Sequence, residues 1–168
     1  MSAEENKPLV VADTSLLLNF LKIGRIDLLA AFYRIVITEH VRTEVTDPDH
    51  RKALDEAIAN GSIEETAVTD PRELGMFSQL NVFLDRGESA AIAVAVQRGW
   101  ILGLDEKGVA LREARSRLGT SRILNTVGVL ANCIRQGLLS IKEADEIKED
   151  LARKRFVIKL GSFAELVK

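Results

Sequence analysis

Cysteine is nearly absent from this sequence: its 168 residues include only Cys133, so no intramolecular disulfide can form. This cysteine falls in an apolar stretch, 127–134, and free cysteine is among the residue types most often buried, so we expect it in the core. Zinc is disfavoured as well, because His40 and His50 show no ligand spacing with Cys133. Neither disulfides nor a zinc site should therefore organise this chain.

Aromatic residues are also scarce, at 5%, whereas apolar residues make up 46% of the chain. The core must therefore be built from Ala, Val, Ile and Leu, which pack well between helices and a parallel sheet. A length of 168 residues suits one complete core and is too short for two comfortable ones. We expect a single α/β domain over residues 1–168.

Positive charge is not in excess, because 23 basic side chains stand against 25 acidic ones, for a net charge of −2. A nucleic-acid partner would therefore have to be held by a local basic patch. No apolar run approaches the roughly 18 residues of a membrane span, and residues 1–7 lack the apolar core of a signal peptide. We expect a cytoplasmic protein without a membrane partner, with residues 1–7 disordered.

Short apolar runs bounded by polar residues are present, and such runs are typical of buried parallel strands. Strands are predicted at 9–12, 35–37, 63–68, 100–104 and 121–124. Helices are predicted at 16–22, 27–33, 49–60, 88–98, 109–118, 127–136 and 141–154, with a further one that Thr38 caps and Pro48 ends. The alternation of strands and helices predicts a doubly wound parallel sheet.

Acidic residues stand where predicted strands end or helices begin. Asp13 and Asp105 each follow a strand, and neighbouring strands would bring these ends about 5 Å apart. Glu88 begins the helix that leads into the fourth strand, and Glu44 would come from the helix after the second. Asp85 is a possible substitute or addition. Open α/β folds place their chemistry at this edge of the sheet.

Several converging carboxylates are costly to bury unless a cation joins them. Oxygen ligands without paired Cys or His favour Mg²⁺ or Mn²⁺. We therefore predict that Asp13, Glu44, Glu88 and Asp105 are both the metal ligands and the catalytic residues. The reaction that uses such a site most directly is hydrolysis of a phosphodiester.

Each of these acids also has an ordinary structural explanation. Asp13 and Asp105 could be helix N-caps, and Glu44 alone resembles a solvated helix residue. Glu88, in the first turn of a helix, is favoured by the helix dipole whatever its function. Only their joint placement favours a metal site.

Polar and basic side chains accompany the acids at the same edge. The helix after Asp105 is basic and could form a local phosphate-binding face, or it could be an ordinary solvated face. The uncharged residues could orient water or substrate, or cap the next helix. The candidate substrate contacts are Thr14, Ser15, Lys107, Arg112, Asn125 and Thr126.

Five segments together resemble the PIN-domain superfamily, in particular its VapC-like members from bacteria and archaea. They are VVADTSLLLNF (10–20), ITEHVRTEV (37–45), GESAAIAVAVQRG (87–99), ILGLDEKGVALREARSRLG (101–119) and NTVGVLANCIRQGLL (125–139). The ordered set is more specific than any one of these motifs.

The resemblance assigns roles position by position. The family's first metal-binding Asp falls on Asp13, its helix Glu on Glu44 and its fourth acid on Asp105. The third acid, an Asp in many members, falls on Glu88, with one extra residue before the isoleucine that follows. The further acid that often follows the fourth has no clear counterpart, which leaves one strong metal position.

The resemblance also implies a fold and partners. The fold would be a three-layer α/β/α domain with a central, mainly parallel five-stranded sheet. The family forms homodimers with a shared groove and cleaves RNA with Mg²⁺ or Mn²⁺, and some members are toxins paired with an antitoxin protein. We therefore expect a metal-dependent endoribonuclease, with a toxin role as a further possibility.

Two other functions compete with this interpretation. One is a weakly active or inactive PIN-like protein that binds nucleic acid or a protein partner without cutting it. The other is a phosphotransferase that uses Asp13 as nucleophile, but Ser15 stands where that chemistry needs a second Asp. Mn²⁺-dependent RNA cleavage distinguishes the nuclease from both.

Overall fold

The computed structural model describes residues 2–167, and within them five strands form one sheet. The strands are β1 (Leu9–Ala12), β2 (Arg34–Thr38), β3 (Ile63–Thr66), β4 (Ile101–Gly103) and β5 (Ile123–Leu124). The α-helices are α1 (Thr14–Lys22), α2 (Ile26–Ala30), α3 (Glu39–Glu44), α4 (Pro48–Ala59), α5 (Pro71–Leu80), α6 (Arg86–Arg98), α7 (Val109–Leu118), α8 (Thr126–Arg135) and α9 (Ile141–Arg153).

The strands lie in the order β3-β2-β1-β4-β5, and every neighbouring pair is parallel. The chain leaves β1 toward β2 and β3, then returns to place β4 on the other side of β1, where Ala12 pairs with Gly103. The switch in direction therefore lies between β1 and β4, where open α/β sheets form their crevice. The prediction that the strands before Asp13 and Asp105 are neighbours is confirmed.

Helices cover both faces of the sheet. Successive residues of a strand point to opposite faces, and along β1 the side chains of Val10 and Ala12 join one core cluster while Val11 joins the other. The first cluster includes residues of α1, α2, α8 and α9, and the second is built largely by α6 and α7. The predicted three-layer α/β/α fold with a central parallel sheet is confirmed.

Some predicted boundaries were wrong because a capping residue decides where each helix begins. Pro48 does not end α3; it is the first residue of α4, a position that suits proline because its missing N–H has no helical partner. Asp47 caps α4 by accepting from the N–H groups of Asp49 and His50, each at 3.0 Å. Asp70 and Pro71 begin α5 in the same way.

The fifth strand is shorter than predicted. Residues Thr120–Arg122 form a 3-10 helix, so β5 contains only Ile123 and Leu124. Asn125 follows directly and caps α8 by accepting from Gly128 N at 2.8 Å. The end of β5 and the start of α8 therefore lie beside the end of β4.

Three further predictions concern the start of the chain, the single cysteine and membrane-spanning helices. Residues 1–7, expected to be disordered, include a short 3-10 helix at Glu4–Asn6, while Met1 lies outside the described residues. Cys133 is fully buried as predicted, and burial raises the pKa of its thiol to about 11. Within residues 2–167, no helix has the length and apolar character needed to cross a bilayer.

Candidate metal centre

Asp13 lies at the carboxyl end of β1 and is only 2% exposed. It caps α1, because its Oδ2 accepts from Ser15 N at 3.2 Å and from Ser15 Oγ at 2.7 Å. Its other oxygen, Oδ1, is buried and has no hydrogen-bond partner among residues 2–167. Burial, despite the bonds from Ser15, raises the pKa of Asp13 to about 6, and the charge of Asp85 adds to this rise.

Glu44 reaches the same place from the last turn of α3. Its Oε2 accepts from Thr14 Oγ1 at 2.5 Å, and its Oε1 accepts from the backbone N–H of Gly87 at 2.8 Å. These two bonds fix the carboxylate between the starts of α1 and α6. Glu44, which alone resembled a solvated helix residue, is therefore held in place on both of its oxygens.

Asp85 completes a cluster of three carboxylates. One oxygen from each of Asp13, Glu44 and Asp85 lies within 4.8 Å of the other two. Asp85 is exposed and caps α6 by accepting from Glu88 N at 2.8 Å. The sequence suggested it only as a substitute or addition, because nothing in the linear pattern shows which acid of 85–88 points toward β1.

Glu88 lies beside this cluster and has a different local partner. Its Oε2 accepts from Asp85 N at 3.2 Å, so the two acids form a reciprocal capping box at the start of α6. Burial first, and then the charge of Asp85, raise the pKa of Glu88 to about 7, with smaller contributions from Asp13 and Glu106. These causes show that Glu88 shares the negative field of the cluster.

Asp105 follows β4 and is held by three donors. Its Oδ1 accepts from Thr126 N at 2.9 Å, and its Oδ2 accepts from Thr126 Oγ1 and from Asn19 Nδ2, the latter at 3.0 Å. Burial raises the pKa of Asp105, although these hydrogen bonds act in the opposite direction. Asp105 is not a helix cap, since α7 begins later, at Val109.

The hydroxyl of Ser15 connects the carboxylate of Asp13 to the backbone of Asp105. It donates to Asp13 Oδ2 at 2.7 Å and accepts from Asp105 N at 3.0 Å. Asp13 N in turn donates to the carbonyl of Gly103 at 2.8 Å, which continues the β1–β4 ladder. The carboxyl ends of the two central strands are thus joined at backbone and side-chain level.

Asn19 is a site residue that the sequence reasoning missed. It lies on α1, is 2% exposed, and donates through Nδ2 to Asp105 Oδ2 and to Thr126 Oγ1, both at 3.0 Å. A signal was available, because Asn19 is the single strongly polar residue in the apolar run Leu16 to Leu21. A buried amide requires partners, and its partners here orient the fourth acid.

The candidate substrate contacts divide into two groups. Thr14, Ser15 and Thr126 donate to the carboxylates of Glu44, Asp13 and Asp105, so their hydroxyls position acids in this structure. Asn125 uses its side chain as a helix cap. Lys107 and Arg112 are exposed, Lys107 in the loop after Asp105 and Arg112 on α7.

The cluster suits a hard divalent cation. Three carboxylates converge, and no cysteine or histidine among residues 2–167 joins them. Oxygen ligands of this kind favour Mg²⁺ or Mn²⁺. The buried Oδ1 of Asp13 has no donor, so a cation would supply the partner that the protein does not. The raised pKa of Asp13 has the same origin, since its negative charge is poorly compensated.

Comparison with known families agrees with this geometry. A family model described as PIN domain matches residues 9–168, which include all five strands and every acid discussed above. The chain belongs to the PIN-domain family. No curated protein matches the sequence. The resemblance to the VapC-like members stays a prediction.

In this PIN domain the acids form one tight group and two outlying members. Asp13, Glu44 and Asp85 converge, while Glu88 and Asp105 lie at the same edge and are each engaged by neighbouring donors. The edge thus places a concentrated negative charge at the switch point of the sheet, where open α/β folds bind their ligands. That combination can bind a divalent cation next to a substrate.

Proposed function

We propose that this chain is a single PIN domain, residues 1–168, that acts as a metal-dependent endoribonuclease and hydrolyses RNA phosphodiester bonds with Mg²⁺ or Mn²⁺. The observation that carries the proposal is the buried, unpartnered Oδ1 of Asp13 within the three-carboxylate cluster. Burial of a carboxylate without a compensating partner costs free energy, and strongly perturbed carboxylates cluster at functional sites. Membership of the PIN-domain family supports the same chemistry.

In this proposal three acids bind the principal cation, and two further residues position one of them. Asp13, Glu44 and Asp85 hold the principal cation, with Thr14 and Gly87 keeping the Glu44 carboxylate in position. When bound, the divalent cation supplies a water of lowered pKa and positive charge against the phosphate.

The two outlying acids complete the proposed site. Asp105 and Glu88 stay as catalytic and metal-binding candidates that contact a second cation or the attacking water once RNA is bound. Asn19 and Thr126 keep Asp105 oriented for that contact, and Ser15 ties it to Asp13. This arrangement accounts for one strong metal position rather than two.

Cleavage of a fluorophore-quencher RNA tests the proposal. The wild-type protein should cleave it with Mn²⁺ and lose activity in excess EDTA, whereas Asp13→Asn should reduce cleavage at least a hundredfold. Asp49→Asn, an exposed acid on α4, is the matched control and should cleave like the wild type. A folded wild-type protein that shows no metal-dependent cleavage contradicts the enzyme and leaves the alternative, a PIN domain that binds RNA or a protein without cutting it.

The biological setting is a further proposal that rests on resemblance to VapC-like proteins. In it the protein is a cytoplasmic toxin, works as a homodimer, and is neutralised by an antitoxin protein. Induced expression in a bacterial host should arrest growth for the wild type and not for Asp13→Asn. Light scattering after size exclusion should give twice the monomer mass of 18.5 kDa. Normal growth would contradict the toxin role, and a monomer at micromolar concentration would contradict the homodimer.

A further inference from the structure

A concave site at the same edge of the sheet includes Asp105, one of the two outlying acids. It is a cavity of about 650 Å³ between the carboxyl ends of β4 and β5 and the segment 155–160, which follows α9. Asp105 and Asn125 are among its lining residues, so the cavity shares Asp105 with the acidic edge. Its volume falls within the range of small-ligand sites, roughly 300–1,000 Å³.

Part of the cavity lining is apolar and includes one aromatic ring. Its apolar residues include Leu111 of α7, Ile123 of β5, Val127 of α8 and Phe156. Phe156 is half-buried and packs against the first core cluster. An apolar lining with an accessible aromatic ring suits a planar, weakly polar group such as a nucleobase.

Basic side chains outnumber acidic ones in the lining of the cavity. Lys107, Arg115, Arg155 and Lys159 line it, and none of the four forms an ion pair with another of the described residues 2–167. Most arginines elsewhere are engaged differently, as Arg98 is with Glu73 and Arg34 with Glu64. Two acids, Asp105 and Glu106, also line the cavity, so the four cations leave it with an excess of positive charge. In a chain of net charge −2, such a local excess favours an anionic ligand.

Arg155 stands at a position where glycine is usual. It follows the C-cap of α9 with φ of 70°, the only non-glycine residue with positive φ among residues 2–167. The following N–H, that of Phe156, donates to Leu151 O at 2.9 Å and closes the helix end. An L-residue in this conformation is strained, so the guanidinium is retained at some cost to stability.

We propose that this cavity binds one nucleotide of single-stranded RNA next to the scissile phosphate, with its base on Phe156 and its phosphates against Lys107, Arg155 and Lys159. This inference rests on the proposed nuclease function, because it makes the cavity the neighbour of the cleaved bond. Charge complementarity favours a nucleotide, since the cavity combines apolar side chains with an excess of cations. Only an unpaired base can enter, so single-stranded RNA is selected over duplex.

Binding in the absence of metal tests this without any cleavage. The probe is a fluorescein-labelled ten-nucleotide single-stranded RNA of mixed sequence, and its anisotropy is followed in EDTA at several salt concentrations. Phe156→Leu keeps the apolar packing but removes the ring, and should weaken binding about tenfold, the size of one lost base–aromatic stack. The same RNA annealed to its complement should bind more weakly to the wild type.

Arg155→Gly separates the ligand role from a structural one. Glycine suits the backbone conformation, so the melting temperature should not fall, yet RNA binding should weaken about threefold. The slope of log K against log salt should drop by about 0.7, the value for one lost phosphate contact on a single strand. Lys52→Ala, an exposed lysine on α4, is the matched control and should bind like the wild type.

The outcomes keep the two proposals apart. If Phe156→Leu and Arg155→Gly bind RNA like the wild type, or the wild type prefers duplex, the nucleotide site is wrong even where Mn²⁺-dependent cleavage occurs. If both variants lose binding while the wild type cleaves no RNA with Mn²⁺, the cavity is an RNA-binding site without a neighbouring cleaved bond, and the nuclease proposal falls.

Discussion

The backbone N–H of Gly87 donates a 2.8 Å hydrogen bond to Oε1 of Glu44, which joins the first turn of α6 to the last residue of α3. A Cβ on residue 87 would overlap this carboxylate, so only glycine permits the close approach. The placement of one acid of the cluster therefore depends on the absence of a side chain on another element.

Gly87→Ala should consequently weaken metal binding and leave the fold intact. The overlapping atoms belong to the end of the flexible Glu44 side chain, which can move away without unfolding α6. We expect Mn²⁺ affinity by calorimetry, and RNA cleavage, to fall about tenfold or more, the size of one displaced charged ligand contact. The melting temperature in EDTA should change by less than about 3 °C, since little packing is lost.

Gly75→Ala is the matched control for this substitution. Gly75 lies in α5, and apart from its chain neighbours and the backbone of its own helix, no heavy atom of the described residues comes within 4 Å of a Cβ built there. Alanine in a helix interior should add about 0.5–1 kcal/mol of stability and leave cleavage unchanged. Equal loss of Mn²⁺ affinity in both variants would show that Gly87 has no special role.

The sequence predicted where on the sheet the acidic site lies more reliably than it predicted which acids form the three-carboxylate cluster. Asp13 and Asp105 could be placed because each directly follows a buried strand, and the parallel pairing of β1 with β4 brings those strand ends together. The hydrophobic pattern that predicts strands is local, so it remains readable without tertiary information.

Side-chain direction at helix starts could not be predicted in the same way. Asp85 joins the cluster and Glu88 turns back to Asp85 N because the capping box of α6 fixes both rotamers. That motif was present in the sequence as Asp-Arg-Gly-Glu, but its orientation toward β1 depends on how α6 packs against α3 and the sheet. Asn19 was missed for a related reason, since its partners are 86 and 107 residues away.

Asn19→Ala should destabilise the fold because it leaves Asp105 and Thr126 with fewer partners in a buried place. Asn19 is 2% exposed and donates to both of them. We expect the free energy of unfolding, measured with urea, to fall by about 1–3 kcal/mol, the usual cost of an unsatisfied buried polar group. Asn19→Asp should cost more, since it would place a second carboxylate beside Asp105.

An exposed asparagine gives the reference for this comparison. Asn81, the C-cap of α5, is exposed, and Asn81→Ala should change the free energy of unfolding by less than about 0.5 kcal/mol. A similar small change for Asn19→Ala would mean that its amide is not needed to hold the fourth acid.

Asp145 should make the fold sensitive to acid. Burial alone would raise its pKa, but hydrogen bonds from Ser162 Oγ at 2.7 Å and from the buried Phe163 N at 2.8 Å hold the pKa below its usual value. A depressed folded-state pKa contributes stability above the unfolded pKa, about 3.9, which is lost as pH falls through the folded value. Asp145→Asn should therefore be less stable by roughly 1 kcal/mol at pH 7.

The two proteins should converge as the pH is lowered. Urea unfolding at pH 7 and pH 3 should show a large loss for the wild type and a smaller one for Asp145→Asn. Asp49→Asn, which lies on another helix, should keep the wild-type pH dependence. If Asp145→Asn lost as much unfolding free energy between pH 7 and pH 3 as the wild type does, the hydrogen bonds from Ser162 and Phe163 would not be the source of the acid sensitivity.

Asp13→Asn should have opposite effects on stability in the absence and in the presence of metal. Without metal, the substitution removes a buried negative charge whose Oδ1 has no partner among the described residues and which lies close to Glu44 and Asp85. We expect a higher melting temperature than the wild type in EDTA, since an uncompensated charge opposes folding. The amide can still accept from Ser15, so the cap of α1 is kept.

With Mn²⁺ at about a hundredfold excess over its dissociation constant, the wild type should gain about 2.7 kcal/mol, because only the folded state binds the ion. For a chain of this size that corresponds to a melting temperature about 5 °C higher or more. Asp13→Asn should show no such rise, whereas Asp49→Asn should rise like the wild type. If EDTA and Mn²⁺ gave the wild type the same melting temperature, the cluster would not be a metal site, because a cation that compensates the buried charge of Asp13 must stabilise the fold.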